Sequence, residues 1–204
     1  ATDASVLVIG ESGTGKELVA QALHAGSPRA DREFRAINCG AIPATLMEAE
    51  LFGFERGSFT GATRTHDGIV GQAHGGTLFL DEITEMPMDT QPPLLRFLET
   101  RRYFRVGGTR ELATDVRIVA ATNRRPADAV KENRLREDLY YRLAAFPIEL
   151  PPLRERGDDA VELAELFLGR LNDEAGTSKR FSAGSLDAAR RHAWPGNVRE
   201  LKHA

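Results

Sequence analysis

The sequence predicts an α/β fold: a parallel sheet with flanking helices, followed by a small helical subdomain. Short apolar runs, several of which end at a glycine or an acidic residue, are separated by stretches with apolar residues at helical spacing. After Pro151 the runs stop and only helical spacing remains. We therefore expect residues 1–152 to form an α/β subdomain and residues 153–204 to form the helical one.

The predicted strands are short runs rich in β-branched and aromatic residues, which is typical of buried parallel strands. They cover residues 5–9, 34–38, 77–80, 117–121 and 146–150. Pro147 favours an edge position or a strand start for the last of them, because proline cannot donate a hydrogen bond to a neighbouring strand.

Helical spacing predicts helices over residues 16–24, 91–99 and 158–171. Ser182 or Ser185 could cap a further helix, since a serine hydroxyl accepts a hydrogen bond from a backbone N–H in the first turn. The segment 194–197, Trp-Pro-Gly-Asn, predicts a turn before a last helix.

The composition is ordinary for a soluble globular protein, with 41% hydrophobic and 28% charged residues. No apolar run approaches the roughly 18 residues that span a bilayer, and no signal peptide opens the sequence, so we expect a cytoplasmic protein with no membrane partner. Cys39 is the single cysteine, which excludes an internal disulfide and a cysteine-cluster metal site. The net charge of −3 lacks the basic surplus of a domain whose main task is binding DNA.

Residues 10–16, Gly-Glu-Ser-Gly-Thr-Gly-Lys, lie where the first strand gives way to the first helix. Glycines let backbone N–H groups converge on a phosphate chain, the helix N-terminus attracts anions, and Lys16 can reach the β- and γ-phosphates. The alternative, a chance glycine-rich turn, is weakened by the strand before the segment and the helix after it. The usual motif has Ser or Thr after the lysine as a magnesium ligand, but here Glu17 stands there. The candidate ATP-binding residues are Gly10, Glu11, Ser12, Gly13, Thr14, Gly15, Lys16 and Glu17.

The apolar run 78–80 ends in Asp81 and Glu82. Sheet topology places such a strand end beside the phosphate loop. Asp81 would hold Mg²⁺, and Glu82 would orient and deprotonate the water that attacks the γ-phosphate. The alternative is a surface turn, because acid pairs at strand ends are common.

Three further polar residues admit two interpretations each. Asn123 follows the fourth strand and could contact the γ-phosphate or the attacking water, or it could be an ordinary turn residue. Arg136 and Arg142 could be solvated surface residues or arginine fingers that reach a neighbouring subunit's γ-phosphate.

Residues 50–62 form an otherwise polar insertion in which Phe59 and Thr60 stand between glycines. Phe59 could lie exposed at the tip of a loop, or a hairpin could tuck it into the core. Residues 57–62, Gly-Ser-Phe-Thr-Gly-Ala, resemble the GAFTGA loop of sigma-54-dependent transcriptional activators, with Ser58 in place of the first alanine.

The resemblance to this family of AAA+ ATPases, the bacterial enhancer-binding proteins, covers almost the whole chain. Residues 10–17 are similar to its Walker A motif, including the Glu after Lys, and residues 75–82 to its Walker B region. Further ordered matches are to the arginine-finger segment and two later signatures, at residues 136–143, 150–156 and 194–201.

The resemblance implies roles for individual residues. The phosphate loop binds ATP, and Asp81 and Glu82 serve Mg²⁺ and hydrolysis. Asn38 resembles the switch asparagine that holds Glu82 aside. Asn123 resembles sensor I and Arg199 resembles sensor II.

The resemblance also implies an assembly and a partner. Arg136 and Arg142 would act in trans across the interfaces of a homo-hexameric or heptameric ring. The loop residues Gly57, Ser58, Phe59, Thr60, Gly61 and Ala62 would contact sigma-54, supported by a second loop at residues 107–110. Hydrolysis would drive closed complexes of the sigma-54 RNA polymerase holoenzyme towards open ones. Enhancer DNA would be bound only by a C-terminal domain that this chain lacks.

Two other functions remain as alternatives. The first is an AAA+ ATPase that remodels another protein or DNA, against which the Phe59–Thr60 loop argues. The second is a nucleotide-gated regulator that binds ATP without hydrolysing it, against which Glu82, Asn38 and Arg136 argue.

Overall fold

The structure of this chain, a computed structural model, describes residues 3–204, so the first two residues of the predicted α/β subdomain lie outside the described residues. The chain forms two compact units. Unit 1 contains residues 3–9 and Glu17–Ile148, and unit 2 contains Gly10–Lys16 and Glu149–Ala204. The phosphate loop therefore groups with the C-terminal residues, although it falls within the α/β subdomain expected from the sequence. The boundary at residue 152 stays a prediction.

The five predicted strands are all present, together with four short ones that the sequence pattern does not reveal. The strands of the described residues are β1 (Val6–Ile9), β2 (Phe34–Asn38), β3 (Gly53–Phe54), β4 (His66–Asp67), β5 (Thr77–Asp81), β6 (Arg102–Phe104), β7 (Glu111–Ala113), β8 (Arg117–Thr122) and β9 (Phe146–Glu149).

The predicted helices are confirmed, and further ones fill the segments left unassigned. The helices are α1 (Lys16–Ala25), α2 (Ala44–Phe52), α3 (Ile69–Gln72), α4 (Gln91–Thr100), α5 (Pro126–Lys131), α6 (Glu137–Leu143), α7 (Asp159–Ala175), α8 (Ala183–Arg191) and α9 (Asn197–Leu201). Two 3₁₀ turns, Ile83–Glu85 and Leu153–Glu155, complete the regular structure of residues 3–204.

The main sheet of unit 1 has the strand order β2–β5–β8–β1–β9. The pairs β2–β5, β5–β8 and β8–β1 are parallel. Every residue of β8 is buried, as are the first four of β5, because a parallel sheet covered on both faces excludes water from its central strands. The helices α4 and α6 contribute Leu94, Leu98 and Leu139 to the same core. This confirms the predicted fold class, a parallel sheet with flanking helices.

Two hairpins stand outside the main sheet in unit 1. The pair β3–β4 encloses residues 55–65, and the pair β6–β7 encloses residues 105–110. They are joined by backbone hydrogen bonds of Val106, whose N–H donates to the Gly53 carbonyl at 2.9 Å and whose carbonyl accepts from the Glu55 N–H at 3.1 Å. Arg105 adds ion pairs to Glu55 at 2.8 Å and to Asp67.

Unit 2 packs α7, α8 and α9 around a small apolar core. Its buried members are Leu153, Ala160, Ala164, Trp194 and Leu201. Ser182 caps α8, since its hydroxyl accepts a hydrogen bond from the Ser185 N–H at 3.1 Å, which decides between the two predicted caps. Within residues 3–204, no helix has both the length and the apolar character needed to cross a membrane.

Candidate active site

The carboxyl ends of the central strands are aligned in unit 1. Asn38, the last residue of β2, pairs in register with Asp81, the last residue of β5. The last residues of β1 and β8, Ile9 and Thr122, pair in the same way. Polar residues that follow neighbouring strands are therefore brought to one edge of the sheet, which is where ligands bind in parallel α/β folds.

Asp81 is held by its neighbours through both carboxylate oxygens. Asn38 Nδ2 donates to Asp81 Oδ2 at 3.2 Å, and the Glu82 N–H donates to Asp81 Oδ1 at 3.0 Å. The orientation of the Asn38 amide is set on its other side, because Oδ1 accepts the N–H groups of Gly40 at 2.9 Å and Ala41 at 3.1 Å. The amide N–H of Asn38 thus points at Asp81, not at the Glu82 carboxylate expected from the resemblance.

Glu82 adopts a left-handed backbone conformation, with φ 52° and ψ 48°, directly after β5. This costs a residue with a Cβ about 1 kcal/mol or more and is found preferentially at functional sites. Its carboxylate lies against Gly40, where an added Cβ would stand 2.7 Å from Glu82 Oε2. Glycine at position 40 leaves room for this carboxylate.

Two residues that the sequence pattern does not single out complete this edge. Thr84 and Thr122 join the turn after Glu82 to the end of β8, with their hydroxyl oxygens 3.2 Å apart. Asn123 follows directly and is exposed. Cys39 is buried beside the acid pair, and its burial, together with the negative charges of Asp81 and Glu82, raises the pKa of its thiol to about 12. The thiol is therefore neutral at physiological pH.

The two candidate arginine fingers lie at opposite ends of α6. Arg136 precedes the helix and forms a two-pronged ion pair with Asp138, at 3.0 and 2.7 Å, which lowers the pKa of the Asp138 carboxyl. Arg142 is in the last turn and donates from Nη2 to the Leu98 carbonyl at 3.1 Å. The Arg136 side chain therefore contacts Asp138, two positions along the chain, whereas the Arg142 side chain is bonded to α4.

The phosphate loop, residues 10–16 of unit 2, is folded on itself. Gly13 and Gly15 have positive φ values of 80° and 99°. Lys16 Nζ donates to the carbonyls of Gly10 at 2.8 Å and Glu11 at 3.0 Å. Thr14 is buried and its hydroxyl donates to the same Glu11 carbonyl at 2.8 Å. Glu17, on α1 in unit 1, accepts a hydrogen bond from Gln21 one helical turn further along.

C-terminal residues of unit 2 hold two side chains of this loop. Arg154 forms a two-pronged ion pair with the Glu11 carboxylate, at 2.9 and 2.7 Å, and together with the amide of Asn197 it lowers the pKa of Glu11 to about 2. Arg199 Nη1 donates to the Ser12 hydroxyl at 3.0 Å. The predicted sensor II arginine is thus next to the phosphate loop, while Arg154 and Asn197 are contacts that the sequence alone does not indicate.

The loop at residues 57–62, here called the tip, is closed by backbone hydrogen bonds. The Gly57 N–H donates to the Ala62 carbonyl at 2.8 Å, and the Ala62 N–H donates to the Phe59 carbonyl at 3.0 Å. Thr60 is exposed, and Phe59 is 39% exposed with its ring edge-on to Phe54 at 4.9 Å between centroids. Phe59 is therefore neither fully extended into solvent nor buried in the core.

Ser58 packs against the β6–β7 hairpin. A Cβ added to Gly107 would lie 2.6 Å from Ser58 Cβ, so glycine at 107 permits this close contact. The Ser58 hydroxyl oxygen is buried and forms no hydrogen bond within residues 3–204. The two loops that the resemblance pairs are in contact in this structure.

The residues at the end of β5 fit a magnesium ion that is shared with phosphate oxygens. Each Asp81 oxygen accepts a single side-chain or adjacent-backbone hydrogen bond and keeps lone pairs for a hard cation. Within residues 3–204, no group of three or more His, Cys, Asp or Glu side chains is arranged around a common metal position. The donor set suits Mg²⁺, which commonly takes one or two carboxylates and completes its shell with water and substrate phosphates.

Comparison with known families decides the relationship. Residues 1–149 match the Sigma-54 interaction domain, and residues 154–204 match the AAA+ ATPase lid domain. This chain belongs to the sigma-54 interaction domain family of AAA+ ATPases. These matches agree with the family that the sequence resemblance indicates.

Individual relatives of this domain are similar over nearly the whole chain. The regulatory protein LuxO of Vibrio parahaemolyticus is 52% identical over 201 residues, which cover 98% of this chain and 44% of LuxO. The transcriptional regulator NtrC of Rhizobium meliloti is 50% identical over 202 residues, covering 99% of this chain and 42% of NtrC. The chain spans less than half the length of these curated relatives. NtrX from Brucella abortus, solved in complex with ATP, is 37% identical with a TM-score of 0.89, covering 99% of this chain and 46% of NtrX.

Proposed function

We propose that this domain hydrolyses ATP and uses the hydrolysis to remodel the sigma-54 RNA polymerase holoenzyme, turning closed promoter complexes into open ones. The observation that carries the proposal is the tip, whose Phe59 and Thr60 are exposed in a domain of the sigma-54 interaction family. The side chains at the end of β5 supply the groups that hydrolysis needs.

In this proposal the phosphate loop binds the triphosphate and Asp81 holds Mg²⁺. Magnesium would neutralise the phosphate oxygens and orient the γ-phosphate. Glu82 orients and deprotonates the attacking water, and Asn123 contacts that water or the γ-phosphate. The ATP complex of NtrX supports ATP as the nucleotide.

Asn38 is proposed as a switch that acts through its Nδ2 amino group. Because the amide oxygen is held by Gly40 and Ala41, only Nδ2 can change partner. In this structure it donates to Asp81, while the carboxylate of Glu82 lies over Gly40. If Asn38 Nδ2 donated its hydrogen bond to Glu82 instead of Asp81, it would draw the Glu82 carboxylate away from the attacking water. Hydrolysis would then stop until the polymerase is engaged.

The proposed assembly is a homo-hexameric or heptameric ring in the bacterial cytoplasm. Arg136 and Arg142 would reach the γ-phosphate of a neighbouring subunit, and Arg199 would contact nucleotide within its own subunit. Arg136 is paired with Asp138, and both side chains are partly exposed at the start of α6. This supports Arg136 as the arginine that exchanges its partner more readily for the phosphate of a neighbouring subunit. Enhancer DNA would be bound by a C-terminal domain outside this chain.

Two other functions differ from this proposal in what they bind or hydrolyse. An AAA+ ATPase with another target would hydrolyse ATP without binding sigma-54. A nucleotide-gated regulator would bind ATP and not hydrolyse it. Glu82 in its left-handed conformation beside Asp81 supports hydrolysis over simple binding.

The test is sigma-54 binding by the chain loaded with ADP–aluminium fluoride, a mimic of the hydrolysis transition state. We expect a stable complex with the mimic and none with ADP. Thr60→Ala should abolish the complex while ATP hydrolysis persists, because Thr60 is exposed at the tip and distant in sequence from the phosphate-binding residues.

The matched control is Thr63→Ala, the same change at an exposed position three residues along the same hairpin. It should leave the complex intact. If the unmodified chain hydrolyses ATP but never retains sigma-54, the target is another molecule. If it binds ATP without releasing phosphate under any of these conditions, the regulator function replaces the one proposed.

A further inference from the structure

We infer that the turn 194–198 and Arg156 are positioning elements for the phosphate loop, which they shape by donating hydrogen bonds to its backbone carbonyl groups. The inference rests on the proposed binding of ATP. It assigns Asn197 the central part and does not involve the tip or sigma-54.

The loop's first two carbonyls are satisfied from within the loop. Lys16 Nζ donates to both of them, and the Thr14 hydroxyl donates to the second. The following three carbonyls accept hydrogen bonds from C-terminal residues. Asn197 Nδ2 donates to the Ser12 carbonyl at 3.0 Å, the Val198 N–H to that of Gly13 at 3.0 Å, and Arg156 Nη2 to that of Thr14 at 2.9 Å.

Asn197 uses both ends of its side chain. Its Oδ1 accepts the Leu153 N–H at 2.8 Å, and its Nδ2 reaches the Glu11 carboxylate at 3.2 Å in addition to the Ser12 carbonyl. The residue is fully buried and its backbone is left-handed, with φ 52°. Asparagine suits this position because it tolerates the left-handed region and carries a donor and an acceptor on one short side chain.

The backbones of the loop and the turn are in direct contact at Gly13. A Cβ added there would lie 2.3 Å from the Gly196 carbonyl oxygen. The Arg156 guanidinium is itself fixed, since Nε donates to the Pro151 carbonyl at 2.8 Å. Arg156 is therefore bonded to the Pro151 carbonyl as well as to the loop.

Directing carbonyl groups away matters because the loop binds an anion. A phosphate is held by converging N–H groups and repelled by carbonyl oxygens that face it. A loop carbonyl that loses its buried donor must find another partner, and the peptide unit has to rotate to do so. Rotation of one peptide unit also turns an N–H away from the phosphate, so ATP affinity should fall without any contact between Asn197 and nucleotide.

The first test is Asn197→Asp, measured by the Kd for a fluorescent ATP analogue on the full chain. The new carboxylate keeps the acceptor for Leu153 but replaces the donor with an oxygen facing the Ser12 carbonyl and Glu11. We expect binding at pH 8 to weaken at least about tenfold, because the hydrogen bonds to the Ser12 carbonyl and the Glu11 carboxylate are both lost. Lowering the pH to 5 should recover much of the affinity, because a protonated carboxyl again donates.

The matched control is Asn172→Asp. Asn172 also bridges a carbonyl and an N–H, those of Lys179, at 2.8 and 2.9 Å in the same unit. This variant should bind ATP as the unmodified chain does at both pH values. Equal affinities for Asn197→Asp and Asn172→Asp at pH 8 would overturn the inference.

Arg156→Gln is a second variant, on a partly exposed residue outside the apolar core, and keeps the inference testable if Asn197→Asp fails to fold. Its affinity for ATP and ADP should drop severalfold while competition by adenosine, which has no phosphate, is unchanged. Arg190→Gln, at an exposed ion pair of α8, is its control. Equal loss of adenosine and ATP binding would indicate general loosening of unit 2 and contradict a specific effect on the phosphate loop.

These outcomes separate the inference from the proposed function. A chain that binds ATP but never retains sigma-54 refutes the proposed target and leaves this test intact. Wild-type affinity of both variants refutes the positioning role and leaves sigma-54 remodelling intact.

Discussion

The phosphate loop and the tip are both short glycine-containing loops, yet their surroundings differ. In the phosphate loop Thr14 and Lys16 are buried, and an added Cβ on Gly13 would collide with the Gly196 carbonyl at 2.3 Å. In the tip, Gly57 and Gly61 also have positive φ values, of 85° and 106°, but nothing lies within 4 Å of a Cβ added at either position.

The difference indicates two uses of glycine. In the phosphate loop, glycine is needed both for its backbone conformation and for the close approach of a second backbone, so the loop has one shape. In the tip, only the conformation requires glycine, and solvent surrounds it. A loop with few packing constraints opens at low free-energy cost, which is consistent with the engagement of sigma-54 proposed above.

The largest expected effect is the difference in stability between Gly13→Ala and Gly57→Ala. Gly13→Ala should lower the free energy of unfolding of unit 2 by about 3 kcal/mol, because the methyl group adds a collision to the cost of a left-handed alanine. Gly57→Ala should cost about 1 kcal/mol, since only the conformational cost applies. Urea unfolding measures both, with Trp194, the sole tryptophan, reporting on unit 2 and circular dichroism on the whole chain.

A further alanine substitution checks the interpretation of Gly13→Ala. Gly176, which ends α7, has φ 62° and nothing within 4 Å of an added Cβ, in the same unit as Gly13. Gly176→Ala should behave like Gly57→Ala. Equal costs at positions 13 and 176 would show that the contact with Gly196 does not constrain the phosphate loop.

Much of this fold could be predicted because its central strands, β5 and β8, are buried on both faces. Apolar runs such as 77–80 and 117–121 stand out in any sequence, and the helix at 158–171 has clear periodicity. The hairpins β3–β4 and β6–β7 were not predicted, because strands of two or three residues are too short to show alternation.

The sequence predicts those parts of the site that lie within one segment, but not the contacts between distant segments. Motifs that lie within one segment, such as the phosphate loop and the acid pair of Asp81 and Glu82, can be read locally. The contact between Asn197 and Glu11 joins residues 186 positions apart, and the sequence indicates only a turn at 194–197. The turn of Asn38 towards Asp81 likewise depends on the backbone N–H groups that hold its other end.

A second prediction concerns the dependence of stability on pH that arises from the ion pair between Glu11 and Arg154. The pKa of Glu11 is about 2, below its ordinary value of 4.5, so the ionised carboxylate favours the folded state. This contribution is complete above pH 4.5 and is lost as the pH falls from 4.5 to 2. We expect it to be about 1 kcal/mol, because the Glu11 and Arg154 side chains are 43% and 42% exposed and solvent weakens their attraction.

Glu11→Gln should flatten this part of the acid unfolding curve followed by Trp194. The matched control, Glu174→Gln at an exposed position of α7, should keep the slope of the unmodified chain. If Glu11→Gln and the unmodified chain lose stability in parallel between pH 4.5 and 2, the ion pair with Arg154 does not fasten the phosphate loop.

The smallest expected effect tests whether the tip also lacks hydrogen bonds that would hold it in place. Because the buried Ser58 hydroxyl has no hydrogen-bond partner within residues 3–204, Ser58→Ala should raise the free energy of unfolding by about 0.5 kcal/mol. The full desolvation cost of a hydroxyl is larger, but a loop that opens readily lets this one hydrate part of the time.

Ser182→Ala is the control with the opposite expected sign, since it removes a hydroxyl that caps α8 and should lower the free energy of unfolding by about 1 kcal/mol. A loss of stability in both variants, measured by urea unfolding, would mean that Ser58 has a partner in solution and that the tip is held more firmly against Gly107 than its exposure suggests.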